Sequence, residues 1–200
     1  MIVVPGEKIS DRRIESDYIY EEGGKSYAAV LGMLEEDGKF IPLEGAYMPL
    51  RGDTVIGIVV NSRHAGYTVD INLPYPGFIV ARDLRNMRLK LGDVILASIR
   101  DVEEEGTIML AEPKLLPKGK VIDFPTVKIP RLLGKGMSML KQIKEETKTN
   151  IIVANNGYVW ISETGNIPLV LQVLNLVKQR AHKKGLTDYV LQFIRSKVRQ

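Results

Sequence analysis

The segment that most restricts how this chain can fold is Pro130–Thr149, PRLLGKGMSMLKQIKEETKT. A short apolar turn runs into a Gly-Lys-Gly loop, and a lysine-bearing helix follows without a spacer. Glycine lets backbone come close to another group, and a helix N-terminus adds positive potential at the same place. Upstream, Lys120–Phe124 reads as a strand ended by Pro125, and Ile129–Leu133 as one helical turn that tolerates Pro130 at its start. From Ser138 the spacing predicts a helix with Met139, Ile143 and Thr147 on one face and Lys141, Lys144 and Lys148 largely off it. Asn150–Ala154 and Tyr158–Ser162 read as strands, and the Asn156-Gly157 pair between them predicts a type I′ hairpin turn. Helices over Ile167–Lys184 and Asp188–Arg199, parted by Gly185, complete the segment.

Residues 51–113 predict a five-stranded barrel of the OB type, with strands Thr54–Asn61, Tyr67–Asn72, Gly77–Val80, Val94–Val102 and Thr107–Ala111. In the first of these, Val55, Gly57 and Val59 fall on one face and Ile56, Ile58 and Val60 on the other. Both faces are apolar, which places the strand in a barrel or against a neighbour. Before the fourth strand, Arg82, Arg85 and Arg88 recur every three residues, with Lys90 behind them. In a helical turn they share a face and make a phosphate-facing edge; a solvated loop is the other reading. Arg63, His64 and Tyr67 add a cation, an imidazole and an aromatic ring in the first barrel loop, a mixture suited to single-stranded nucleotides. Residues 114–118, KLLPK, read as a linker.

Residues 1–50 read as short strands divided by Gly23-Gly24, Asp37-Gly38 and Glu44-Gly45. They hold 5 basic and 10 acidic residues, a net charge of −5, and too little apolar material for a strong core. A protein interface is the better expectation here than contact with phosphates. The split runs along the whole chain. Residues 1–113 carry 12 basic and 19 acidic residues (−7), and residues 114–200 carry 16 and 5 (+11). Such a split suits a polyanion-binding part joined to a part with another task.

Several classes are set aside. With no cysteine there is neither a disulfide nor a thiolate metal site, which fits a cytoplasmic location. No apolar run is long enough to span a membrane, and the start does not read as a signal peptide. His64 and His182 are the only histidines, no catalytic motif is present, and no catalytic residue, metal or cofactor is expected. Glu103-Glu104-Glu105 reads as a solvated turn.

The order strand, helix, glycine loop, helix, strand, strand, helix after residue 118 is that of a type I KH domain, whose GXXG loop clamps a few unpaired nucleotides. The fold class expected is therefore multi-domain, β-rich plus α+β. It comprises an N-terminal β domain (1–50), an OB-type barrel (51–117) and a KH domain with C-terminal helices (118–200). VVPGE at Val3–Glu7, EEGGKSYAAVLG at Glu21–Gly32, IPLEGAYMPLRGDTVIG at Ile41–Gly57, GYTVDIN at Gly66–Asn72, KIPRLLGKGMSMLKQI at Lys128–Ile143, VANNGYVWI at Val153–Ile161 and HKKGLTDYV at His182–Val190 follow one another along the chain. In that order the sequence resembles the archaeal exosome RNA-binding cap subunit, the ribosomal-RNA-processing protein four family, whose barrel is of the ribosomal-protein S-one type.

The resemblance implies a non-catalytic subunit. It would dock through its N-terminal domain on a hexameric phosphorolytic ring, beside other cap subunits, and guide single-stranded RNA 3′ ends into the pore. The alternative is a free-standing RNA-binding regulator, a translation or transcription factor. The residues expected at RNA are Arg63, His64, Tyr67, Arg82, Arg85, Arg88, Lys90, Lys135, Lys141 and Lys144. The KH loop is Gly134, Lys135, Gly136 and Met137. Met137 stands at the second glycine of GXXG, which predicts a loop with less backbone freedom. Ala65, Thr68 and Val80 stand where the S-one pattern favours aromatic rings and a histidine, which predicts weak base stacking.

Overall fold

The computed structural model describes residues 1–14, 16, 18–35, 38–84, 87–103, 106–183 and 185–198. Of the residues singled out above, Asp37, Arg85, Glu104, Glu105, Lys184 and Arg199 lie outside the described residues.

The N-terminal strands are β1 (Ile2–Val3), β2 (Lys8–Ser10), β3 (Ile19–Glu22), β4 (Lys25–Ala28), β5 (Gly32–Leu34) and β6 (Phe40–Pro42). They form two three-stranded sheets, β1-β5-β6 and β2-β4-β3. Gly23 and Gly24, at φ 59° and 78°, make the two-residue turn from β3 to β4. Positive φ at both central residues is the type I′ requirement. Opposite one another on those strands, Tyr20 and Tyr27 stack with ring centroids 5.5 Å apart. Among the described residues of this segment only Val3, Ser26, Ala28 and Gly32 are buried. The segment thus has almost no core of its own, as its composition predicts.

β7 (Thr54–Arg63), β8 (Gly66–Asp70), β9 (Gly77–Val80), β10 (Val94–Val102) and β11 (Ile108–Leu115) close a barrel in the order β10-β11-β9-β8-β7. Val55, Val59, Val69, Ile79, Ile95, Ile99 and Leu110 fill it. Gly57 has no room for a side chain, since a Cβ there would lie 2.3 Å from Val69 Cγ1. β11 runs to Leu115, so the expected linker 114–118 shrinks to its last residues because Ile95 and Leu96 pair with Leu115 and Lys114.

The last segment contains β12 (Gly119–Asp123), α1 (Ile129–Leu133), α2 (Ser138–Thr147), β13 (Ile151–Val153), β14 (Tyr158–Ser162), α3 (Ile167–Arg180) and α4 (Leu186–Val198). Its antiparallel sheet has the order β12-β14-β13. The Asn166 side chain caps α3 by accepting from the Leu169 N–H at 3.1 Å, and Pro168 fills a first-turn position whose N–H needs no partner. α3 ends at Arg180, earlier than the periodicity predicts.

Alternation along β14 divides the packing. Val159 and Ile161 face the helices, in one core with Leu132, Ile143, Val170, Leu174, Val177 and Val190. Trp160 faces the other way and meets Ile56 of the barrel, with Val94, Leu96, Val121 and Ile152 around them. The apolar outer face of β7 is thereby explained: Ile56 is covered by the KH sheet. Gly119 lies beside the indole, where a Cβ would lie 2.3 Å from Trp160 Nε1.

The β13–β14 turn crosses the same junction. Asn156, 1% exposed, donates from Nδ2 to Ile56 O (2.7 Å) and Ile71 O (2.8 Å), and its Oδ1 accepts from the Ile56 N–H (3.2 Å). The Asn155 N–H donates to Thr54 O at 2.9 Å, and Asn72 Nδ2 to Asn156 O at 3.2 Å. The expected type I′ turn is not formed. Only Gly157 (φ 85°) is left-handed, while Asn156 keeps a negative φ that aims its amide into the barrel.

Tyr158 donates to Asp70 Oδ2 at 3.2 Å, and burial together with that carboxylate pushes its phenol up to about 12. The unfolded chain then loses this proton near pH 10 while the folded one keeps it. Stability is therefore expected to fall between about pH 10 and pH 12, and less steeply in Tyr158→Phe, which urea midpoints across that range measure. Asn156→Ala strands three backbone groups of the barrel. It is expected to cost about 2 to 3 kcal/mol and to split one urea transition into separate barrel and KH steps, followed by fluorescence of Trp160.

Candidate nucleic-acid interface

The β7–β8 hairpin puts Arg63 and His64, both exposed, at its tip. The Ala81 N–H donates to Ala65 O at 3.0 Å, which ties that tip to a short 3-10 helix over Ala81–Leu84. Arg82, with 82% of its side chain exposed, thus joins Arg63 and His64 at one end of the barrel. Asp83 lies 3.8 Å from Arg82 and 2.9 Å from Arg100, so one carboxylate is shared by two guanidinium groups. Arg88 and Lys90, also exposed, ride on a loop held to β7 by Gly92 N–H to Val59 O (2.8 Å) and Val59 N–H to Asp93 O (2.9 Å).

A helical face shared by Arg82 and Arg88 does not form. The 3-10 helix is described over Ala81–Leu84, Arg88 is not helical, and Leu84 and Leu89 both turn inward to join the barrel core. Arg85 lies outside the described residues. Tyr67 is half-buried and packs against the barrel core on the Val69 side of β8.

The KH loop joins α1 to α2. Gly134 (φ 71°) is indispensable, since a Cβ there would lie 2.8 Å from the buried Met139 Cβ. Gly136 (φ 59°) and Met137 (φ 62°) are both left-handed. The expected loss of backbone freedom at Met137 is therefore expressed as strain rather than as a different path. The residue holds a conformation that suits glycine and is 57% exposed. Lys135 is exposed beside it. Lys141 lies 4.0 Å from Glu145, and Lys144 is partly buried, which lowers its pKa.

Other cations of the basic last segment have structural tasks that the sequence did not reveal. Lys128 Nζ donates to Lys178 O (2.9 Å), and Arg131 donates from Nε to Ala181 O (2.7 Å) and from its terminal nitrogen to Lys183 O (2.6 Å). Together they satisfy the carbonyl end of α3, where positive charge is favourable. Lys178 Nζ donates to Asp123 O at 2.6 Å, and Arg180 lies 4.1 Å from the centre of the Tyr189 ring. No cluster of metal-ligating side chains occurs among the described residues, and no helix there is long and apolar enough to cross a membrane. Sequence reasoning also passed over Tyr75 and Phe78, which border a cleft on the barrel's outer face.

Comparison with known proteins finds sequence relatives along nearly the whole chain. The KH domain family model matches residues 119–165. Exosome complex component Rrp4 of Picrophilus torridus is 36% identical, over 96% of this chain and 91% of that protein. The protein of the same name from Thermococcus kodakarensis is 33% identical, over 100% and 86% respectively. A solved structure described as an exosome complex RNA-binding protein superposes with a TM-score of 0.69 at 27% identity, covering 78% of this chain and 100% of the other.

The left-handed methionine makes a direct prediction. Met137→Gly is expected to stabilise the chain by about 0.5 to 1 kcal/mol, the relief of strain exceeding the added freedom of the unfolded chain. Met137→Val is expected to destabilise it. Urea midpoints measure both.

Proposed function

This chain belongs to the Rrp4 family of exosome complex components, and from that membership we propose that it is the non-catalytic RNA-binding cap subunit of an archaeal exosome. It recruits RNA 3′ ends and guides them into a phosphorolytic ring for 3′-to-5′ degradation and processing, in the cytoplasm. The observation that carries this reading is the end-to-end similarity to exosome components, which includes the N-terminal sheets as well as the barrel and the KH segment. A free-standing regulator would have no evident use for an acidic N-terminal segment with so small a core.

The tasks divide along the chain. Residues 1–50 dock on the ring and sit beside further cap subunits, residues 51–117 form the RNA-binding barrel, and residues 118–200 form the KH domain. Arg63, His64, Arg82, Arg85, Arg88 and Lys90 offer charge to phosphates at the barrel, with Tyr67 at its mouth. Lys135, Lys141 and Lys144 do so around the KH loop, of which Lys135 is the freest. Contacts to phosphates position RNA without reading its sequence, which suits a subunit that must pass any 3′ end.

Mixed with phosphorolytic ring subunits, the chain is expected to co-elute with the ring on gel filtration, and alone to leave RNA intact in phosphate buffer. Phosphate-dependent trimming by the chain alone would overturn the non-catalytic assignment. RNA binding with no ring association would favour the regulator. The double variant Arg82→Ala, Arg88→Ala is expected to weaken binding to all single-stranded RNAs alike and to reduce the salt slope by about 0.7 for each phosphate that is no longer neutralised. Titrations at several salt concentrations measure this.

A further inference from the structure

We propose that the cleft between Tyr75 and Phe78 on the outer face of the barrel takes one unpaired RNA base by stacking. The proposal rests on the RNA-binding reading above and places a base contact where none is expected from Ala65, Thr68 and Val80.

The strand pleat selects these rings. On β8 the buried Val69 points inward, so Thr68 points outward; on β9 the buried Ile79 points inward, so Phe78 and Val80 point outward. Thr68 stands opposite Phe78 and beside Asn61. The next row on the same face is Arg63, Gly66 and Val80. Phe78 leans over Gly66, where a Cβ would lie 2.9 Å from Phe78 Cζ. Tyr67 alternates with Thr68 and belongs to the inward side, so its ring cannot serve this face.

Tyr75 comes from the β8–β9 loop and is 58% exposed. Its ring lies against Gly106 in the β10–β11 turn, where a Cβ would be 2.9 Å from Tyr75 Cδ1 and Cε1. A side chain at Gly106 would displace the ring. Between Tyr75 and Phe78 is a cleft of about 140 Å³, with the Thr68 and Thr107 hydroxyls at its border and no charged side chain among its described lining residues.

That chemistry suits a flat, uncharged group. A phosphate would find no cation in the cleft, whereas Arg63 lies one row away on the same sheet face and can take the adjoining phosphate. Two aromatic faces offer stacking to any base, and threonine hydroxyls both donate and accept, so they match base edges without selecting one. The second and third strands of OB barrels are where unpaired nucleic acid lies, and the cleft adjoins them.

The test uses the full chain and a single-stranded oligoribonucleotide carrying 2-aminopurine, whose fluorescence is quenched by stacking. Tyr75→Leu and Phe78→Leu are each expected to weaken binding about tenfold, to leave the salt slope unchanged and to reduce the quenching. Tyr75→Phe keeps a ring and is expected to behave as wild type. Tyr75 is largely exposed, so its variants test the cleft even where Phe78→Leu disturbs folding. Leucine variants that bind and quench like wild type would overturn the cleft and leave the RNA-binding reading intact. An altered salt slope would reassign the effect to phosphate contacts and overturn it likewise. A wild-type chain that binds no RNA would overturn both.

Discussion

The arrangement of the molecule depends on one buried amide. Asn156 sits in the turn of the KH sheet and bonds to backbone groups of Ile56 in β7 and of Ile71, just past the end of β8. Water could not reach those groups once Trp160 and Ile56 have closed over them, so the amide must satisfy them itself. Its directional bonds fix the angle between barrel and KH sheet, and the apolar contacts beside it supply most of the burial energy. Asn155, Asn72 and Tyr158 add bonds across the same seam. With this junction formed, the barrel's hairpin tip and the KH loop keep a fixed relation to one another.

Charge must be sorted before it is read as affinity. The last segment holds the excess of basic residues, but Lys128, Arg131 and Lys178 hold carbonyl groups and Arg180 lies on a tyrosine ring. Those cations stabilise a helix end and a strand end. Arg63, Arg82, Arg88, Lys90 and Lys135 are exposed, and none of them is tied to a carbonyl group in that way. Net charge therefore overstates the free positive charge of the KH segment.

The architecture was legible in the sequence because each part carries a local period. β7 alternates, α2 and α3 repeat every three to four residues, and glycine pairs mark turns. Both the order of elements and the KH assignment follow from those patterns. What was not legible depends on contacts distant in the chain. Asn156-Gly157 has the local signature of a type I′ turn, yet the backbone yields to three long-range hydrogen bonds. The Arg82 to Arg88 spacing suggests a helix, yet Leu84 and Leu89 are both drawn into the barrel. Tyr75 carries no motif at all, and its place is set by the absence of a side chain at Gly106, thirty-one positions on.

The nearly coreless N-terminal sheets give the chain a graded stability. Opening them exposes little apolar surface, so their local unfolding free energy must lie well below that of the barrel or the KH core. Native-state hydrogen exchange would rank them as the first cooperative unit to open. A partner surface that covers them would also have to order them. Part of its contact energy would then go into folding, and the affinity of that contact would respond to mutations that never touch the partner.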